Sequence, residues 1–241
     1  MRNAFVADFI KMKRTPVAWL QLLVPVVLTA LYFIYYSFAG YHIIQNVWLF
    51  FVIIQIGYPI GASILVPILI GLERRMPNVQ NALGVVPSRH SVYFGKLCFL
   101  LCLSAASILV FEMGFYIGVN HFLGLHDTKI QPYLIVFVIM MISNIFLYSC
   151  LMTIAFRFGT SIVMILGIAG TVLAGYFETP IGNHLWQFMP WEWGVRLLEN
   201  YFEISVTPVL PGIIVMIVMT FAMLAFSIYW FSRWEGRVAD E

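Results

Sequence analysis

The chain has 241 residues, of which 62% are hydrophobic and 10% charged, with a net charge of +2. An ordinary soluble domain carries about 25% charged residues, so this chain lacks the polar side chains to cover a water-facing surface, and its mean hydropathy of +0.93 agrees. The composition excludes a soluble globular domain and is not that of a nucleic-acid-binding protein. It describes a single all-α polytopic membrane domain over residues 1–241.

Residues 1–16 have their own pattern. Phe5, Phe9 and Met12 share a helical face, with Val6 and Ile10 beside them, while Asp8, Lys11, Lys13 and Arg14 crowd the other side. That spacing predicts a short amphipathic helix in the membrane interface, its cations near lipid headgroups. A basic flank that only sets orientation is the plainer reading. Thr15-Pro16 marks a break before the first apolar run.

A spanning helix needs about 20 mostly apolar residues. Six segments qualify or nearly so, at about residues 17–39, 47–71, 97–119, 132–156, 161–177 and 208–231. The first is longer than the apolar core of a cleaved signal, about 7–15 residues, and is expected to be retained. Pro25, Pro59 and Pro67 loosen the first two spans. Gly57 and Gly61, Gly114 and Gly118, and Gly167, Thr171 and Gly175 put small residues at four-residue spacing, which lets helices approach closely. Packing within the bundle is the expected use.

With six spans both termini share one side. That side holds Arg2, Lys11, Lys13, Arg14, Arg74, Arg75, Arg89, Lys96, Arg157, Arg233 and Arg237, and the other only Lys129 and Arg196. The bias predicts cytoplasmic termini.

Residues 71–96 are the most informative stretch. They carry Glu73, Arg74, Arg75, Arg89 and Lys96 between two apolar segments. Arg74 and Arg75 follow a helix C-terminus, where cations suit the dipole. A short helix is expected over 78–83, with Asn78 and Asn81 in it and Gly84 closing it. Pro87-Ser88 then restarts a helix that Ser88 caps and that runs through Tyr93 and Lys96 into the third span. A short helix between two stiff legs is a lever; a plain positively charged loop is the alternative.

On the opposite, external side, the connection over 120–131 holds His121 and His126, weak evidence for a metal. The next, over 178–207, is acidic and aromatic. It contains Glu178, Glu192, Glu199 and Glu203 against Arg196 alone, and Trp186, Phe188, Trp191, Trp193, Tyr201 and Phe202. A helix is expected from Pro190-Trp191, with Glu192, Arg196, Glu199 and Glu203 as one polar stripe and Val195, Leu198 and Phe202 opposing it. It is expected to lie at or dip into the outer interface. Two uses fit: a vestibule for a cationic amphipathic ligand, or an anchor that seals the bundle.

Catalytic motifs are lacking. There is no Gly-x-Ser-x-Gly, His-Glu-x-x-His or Gly-x-x-x-x-Gly-Lys-Ser/Thr, so a separate subunit or an ion gradient must supply energy. Cys98, Cys102 and Cys150 lie in apolar runs and are expected to be small packing residues. Glu112 is the one charged residue placed inside a span. It is a candidate proton or ligand site, or a structural hydrogen-bonding group, with Gln55, Ser143 and Asn144 as conceivable partners.

Lys11-Met12-Lys13-Arg14, Pro25, Glu73, Pro87-Ser88-Arg89, Tyr93, Lys96 and the amphipathic hairpin before the last span together resemble the type-2 permeases of ABC transporters. Length and texture are most similar to the lantibiotic-immunity permeases of Gram-positive bacteria, the small E- and G-type subunits. The resemblance spans essentially the whole chain. It implies a plasma-membrane permease, paired with itself or a paralogue, surrounded by lipid and bound from the cytoplasm by ABC ATPase subunits that use ATP and Mg. The chain would bind no cofactor of its own. Residues 72–95 would be the coupling helix in a groove of the ATPase, the external hairpin would be re-entrant, and a cationic peptide antibiotic would be expelled from the membrane. Glu112 matches no signature of that family. Export of another drug, peptide or lipid is the alternative; a gradient-driven transporter using Glu112 and a non-transporting sensor or adaptor are rivals of other classes. The site residues expected are Glu73, Arg74, Arg75, Asn78, Asn81, Pro87, Ser88 and Arg89 for ATPase coupling, and Glu112, Trp191, Glu192, Trp193, Arg196, Glu199 and Glu203 for the substrate path or external recognition.

Overall fold

The computed structural model describes residues 17–39, 46–74, 89–122, 124, 129–205 and 207–233. The interfacial helix expected over 1–16 and the short helix expected over 78–83 lie outside them. Seven α-helices and two 3-10 turns make up the described residues, which contain no strand. They are α1 (Val17–Ala39), α2 (Leu49–Arg74), α3 (Arg89–Phe122), α4 (Gln131–Phe158), α5 (Thr160–Phe177), α6 (Trp193–Tyr201) and α7 (Val209–Arg233). All but α6 are long and apolar enough to cross a bilayer. A chain this poor in polar side chains must satisfy its backbone internally in lipid, and the helix does so within one segment.

The expected spans are all present. Helix α3 has 34 residues, about 50 Å at 1.5 Å per residue, far more than the roughly 30 Å hydrocarbon core. Most of its extra length precedes residue 97, where the helix expected to run through Tyr93 and Lys96 into the span is present from Arg89, with Lys96 buried. Helix α5, with 18 residues, is about 27 Å long, near the lower limit for a span. A single residue, Gly159, turns α4 into α5. Its φ of 94° is a conformation that glycine adopts without a Cβ clash.

Helix α2 sits at the centre, packed on α4, α5 and α6. Gly167 of α5 lets the α2 backbone approach closely: a Cβ there would lie 2.8 Å from the Pro59 carbonyl oxygen. Helix α1 packs on α3, where Gly114 and Gly118 receive Thr29 and Phe33. Gly57 and Gly61 behave otherwise, for a Cβ on either meets nothing within 4 Å. Their spacing is not used for packing within the described chain. Cys98 and Cys102 are exposed rather than packed inside, and Cys150 is half-buried.

Pro25 has no N–H, so the Gln21 carbonyl one turn earlier loses its helical donor. Ser107 of α3 replaces it, its Oγ donating to Gln21 O at 3.3 Å. Gln21 Nε2 donates in return to Ser107 Oγ and to Leu103 O at 3.3 Å. The missing donor at Pro25 is thereby turned into a link between α1 and α3.

Candidate functional site

Two places gather the polar residues: the α2–α3 end of the bundle, and the segment between α5 and α7 at the opposite end.

At the first, α2 runs on through Glu73 to Arg74 and α3 begins at Arg89. Both chains therefore leave the apolar core as helix, as expected for stiff legs. The α3 leg is anchored: Tyr93 is buried in a cluster with Leu69, Ile70, Leu97, Phe156 and Phe231, its ring centroid 5.6 Å from that of Phe231. Arg75, Asn78, Asn81, Pro87 and Ser88 lie outside the described residues.

At the second, the chain after α5 makes 3-10 turns over Pro180–His184 and Trp186–Phe188, then α6. The turn at Gly182 is tight, since a Cβ would lie 1.7 Å from the Phe177 carbonyl oxygen. Trp186 and Trp193 are fully buried with Phe146 and Met216. Trp193 Nε1 donates to Gln187 O at 2.8 Å. Trp191 covers Gly170 of α5, and Trp186 covers Gly212 of α7. Gly194 brings α6 onto α2: a Cβ there would lie 2.5 Å from Gln55 Nε2.

Helix α6 starts at Trp193, two residues after the expected Trp191, and ends at Tyr201. Glu203, expected on its polar stripe, lies past its end, exposed, with φ of 56°. Glu203 N donates to Asn200 O at 3.2 Å and Ile204 N to Glu199 O at 2.8 Å. This is a helix-closing motif in which the left-handed residue is usually glycine.

The rest of the stripe turns inward. Glu192, Arg196 and Glu199 are 0%, 1% and 1% exposed, so these three do not form an acidic face open at the surface. Arg196 Nη1 donates to Glu199 Oε2 at 3.1 Å. Its Nη2 donates to the Phe177 carbonyl and to the Thr179 carbonyl at 3.1 Å. The guanidinium thus caps the C-terminus of α5, where unpaired carbonyls and the helix dipole favour a cation. Arg196 Nε lies 3.1 Å from Glu192 Oε1, but out of hydrogen-bond direction. Neither Glu192 oxygen accepts a hydrogen bond among the described residues.

Burial pushes the Glu192 carboxyl up to about 9; Arg196 opposes the shift while Glu199 and Glu178 add to it. Burial likewise raises Glu199 to about 7, again against Arg196 and with Glu178. One cation is too little to keep both carboxyls ionised out of water.

Glu112 is buried in α3, and its Oε1 has no hydrogen-bond partner among the described residues. The partners expected for it bond to other groups, and Gln55 Oε1 and Asn144 Nδ2 have no hydrogen-bond partner among the described residues. Gln55 Nε2 donates to Asn144 Oδ1 at 3.5 Å, and Ser143 Oγ donates to Ile139 O at 2.8 Å. No cluster of three or more His, Cys, Asp or Glu able to hold a metal occurs among the described residues. Sequence reasoning missed Gly170, Gly182, Gly194 and Gly212, each of which makes room for a neighbour; isolated glycines carry no spacing signal.

No curated protein and no solved structure matches the chain at a significant level. A family model described as ABC-2 family transporter protein matches residues 4–178, which take in the first five spans and the 75–88 segment and end where the hairpin begins. That match covers well over half the chain, and membership implies partnership with an ABC ATPase subunit. The chain belongs to the ABC-2 family of transporter proteins, as a multi-pass membrane permease.

Proposed function

We propose that this permease is the membrane subunit of an ATP-driven exporter that expels a cationic peptide antibiotic of the lantibiotic class from the bacterial plasma membrane. Both termini face the cytoplasm in this reading, and the chain pairs with itself or a paralogue. The 75–88 segment, with Glu73, Arg74 and Arg89 at the helix ends beside it, sits in a groove of the ATPase and carries its motion into α2 and α3. ATP and Mg are used on that partner. The observation that carries the reading is the pair of helices that run past the apolar core on either side of 75–88, in a chain of this family.

The test is resistance in cells expressing the permease with its ATPase. Glu73→Ala combined with Arg89→Ala is expected to abolish most of the resistance while membrane insertion and ATP hydrolysis persist. Full resistance in the double variant would overturn the coupling role. Export of another drug, peptide or lipid is separated by the compound to which resistance is lost. Glu112 favours a second reading, a gradient-driven transporter; that reading requires transport in ATPase-free vesicles that collapses when the gradient is dissipated.

A further inference from the structure

Two carboxyl groups, Glu192 and Glu199, meet one guanidinium at the end of α5. Arg196 and Glu199 act on Glu192 from its own helix, and Glu178 from the end of α5. From α2 and α4 the polar side chains beside α6 are the neutral amides Gln55 and Asn144. Helix α7 has Arg233 as its one charged residue, at the far end. The turn over Pro180–His184 brings only the exposed His184. Arg196 spends its directed hydrogen bonds on Glu199 and on the Phe177 and Thr179 carbonyls. Glu192, fully buried, receives none of them and has only the misdirected contact of its Oε1 with Arg196 Nε at 3.1 Å.

A carboxylate has about four acceptor sites and no donor, whereas a protonated carboxyl has one O–H to give. Burying an ionised carboxylate without hydrogen bonds is far more costly than burying the neutral acid. We propose that Glu192 is a proton-binding site that sets whether the hairpin is latched to α5. With the proton on, Glu192 is neutral, and Arg196 is left to Glu199 and the two carbonyls, which hold α6 against the end of α5. With the proton off, Glu192 competes for the guanidinium, draws it from the Phe177 and Thr179 carbonyls, and admits water under α6. The latch is therefore closed by acid and loosened by base. The inference concerns the hairpin itself and stands whatever compound the permease carries.

The test uses the full chain in lipid nanodiscs, with Cys98→Ser, Cys102→Ser and Cys150→Ala removing the native thiols. Val195→Cys places a thiol at a fully buried site of α6, and Phe188→Cys places one at an exposed site in the same segment. A polar maleimide labels each across pH 6 to about 9.5. The Val195→Cys to Phe188→Cys rate ratio is read against the same ratio in a Glu192→Gln chain, because a buried thiol ionises at higher pH than an exposed one. Beyond the rise that thiol ionisation gives in the Glu192→Gln chain, the ratio is expected to rise at least about threefold with pH when Glu192 is present, and to be high at every pH with Arg196→Gln. A flat ratio in the chain with Glu192 intact, or an unchanged rise with Glu192→Gln, overturns the proposal. Should Val195→Cys itself disturb packing, thermal unfolding against pH for the chain bearing only Glu192→Gln decides. It must lose the alkaline destabilisation seen with Glu192 present, and retention of that slope is equally fatal.

Discussion

The two ends of this bundle are finished in opposite ways. At the α5–α7 end the chain turns its own charges inward. Arg196 is claimed by Glu199 and two carbonyls, and Trp186 and Trp193 are sunk among Phe146 and Met216. At the α2–α3 end the helices run past the apolar core and carry Glu73, Arg74 and Arg89 at their ends. A charge used to close a fold is buried and paired within the chain. One that the proposed coupling role assigns to a soluble partner has to stand on a stiff element beyond the apolar core. Charge count alone does not separate the two cases, since both segments are rich in ionisable residues. At the closed end Trp186, Trp193, Val195 and Leu198 are interleaved with Glu192, Arg196 and Glu199 and are buried with them.

The strongest way to break the comparison is to take the cation out of the closed end. Arg196→Ala leaves Glu192 and Glu199 buried without a counter-charge and uncaps α5. Removing one partner of a buried pair costs about 3–5 kcal/mol. Thermal unfolding in detergent is expected to show a large fall, partly recovered at low pH as the carboxyls take up protons. Arg89→Ala at the other end is expected to leave unfolding almost unmoved while resistance is lost. Equal effects on unfolding would erase the distinction between the ends.

The closed end also has a defined pH response. Glu192 and Glu199 have carboxyls raised to about 9 and about 7, from an ordinary 4.5. The folded state therefore holds protons that the unfolded chain has released. The stability this gives is present in full below about pH 4.5 and is lost as pH rises through 7 and then 9. Unfolding temperature is expected to decline across that window, and Glu192→Gln to remove the upper part of the decline. A rise with pH would show that the pair with Arg196 dominates over burial.

Glycines sharpen the contrast at a smaller scale. Gly167→Ala would push a methyl group against the Pro59 carbonyl and the Ser63 side chain, and overpacking of this kind costs about 1–3 kcal/mol. Gly61→Ala meets open space and is expected to change stability by less than about 0.5 kcal/mol. Matching losses would mean that Gly61 is packed in the folded protein after all.

The number, order and approximate bounds of the six spans were legible in the sequence, because apolar length decides them. So were the two helical legs around 75–88, through the Arg74 and Ser88 neighbourhoods. The direction in which the α6 stripe faces was not. Glu192, Arg196 and Glu199 have the spacing of a surface stripe, and only the burial of Trp186, Trp193, Val195 and Leu198 around them reverses it. The end of α6 was missed for a local reason. The left-handed position that closes it is held by Glu203, where a glycine would have announced the stop. The use of Gly114 and Gly118 but not of Gly57 and Gly61 was also hidden, since spacing says nothing of which helix stands opposite.

The smallest predicted effect concerns how α1 is held. Toward the α5–α7 end it is fixed by close packing of Thr29 and Phe33 on Gly114 and Gly118. Toward the other end it is fixed by the exchange between Gln21 and Ser107. That exchange exists because Pro25 leaves the Gln21 carbonyl without its helical donor. Ser107→Ala alone strands the carbonyl and is expected to cost about 0.6 kcal/mol, the mean for interhelical hydrogen bonds in membranes. Pro25→Ala returns a helical N–H to Gln21, so in that background Ser107→Ala is expected to cost less. The double-mutant cycle then gives a coupling between residues on different helices that arises from one missing backbone proton. Strict additivity would show that Ser107 serves only the Gln21 side chain, and that the missing donor at Pro25 is tolerated without help from α3.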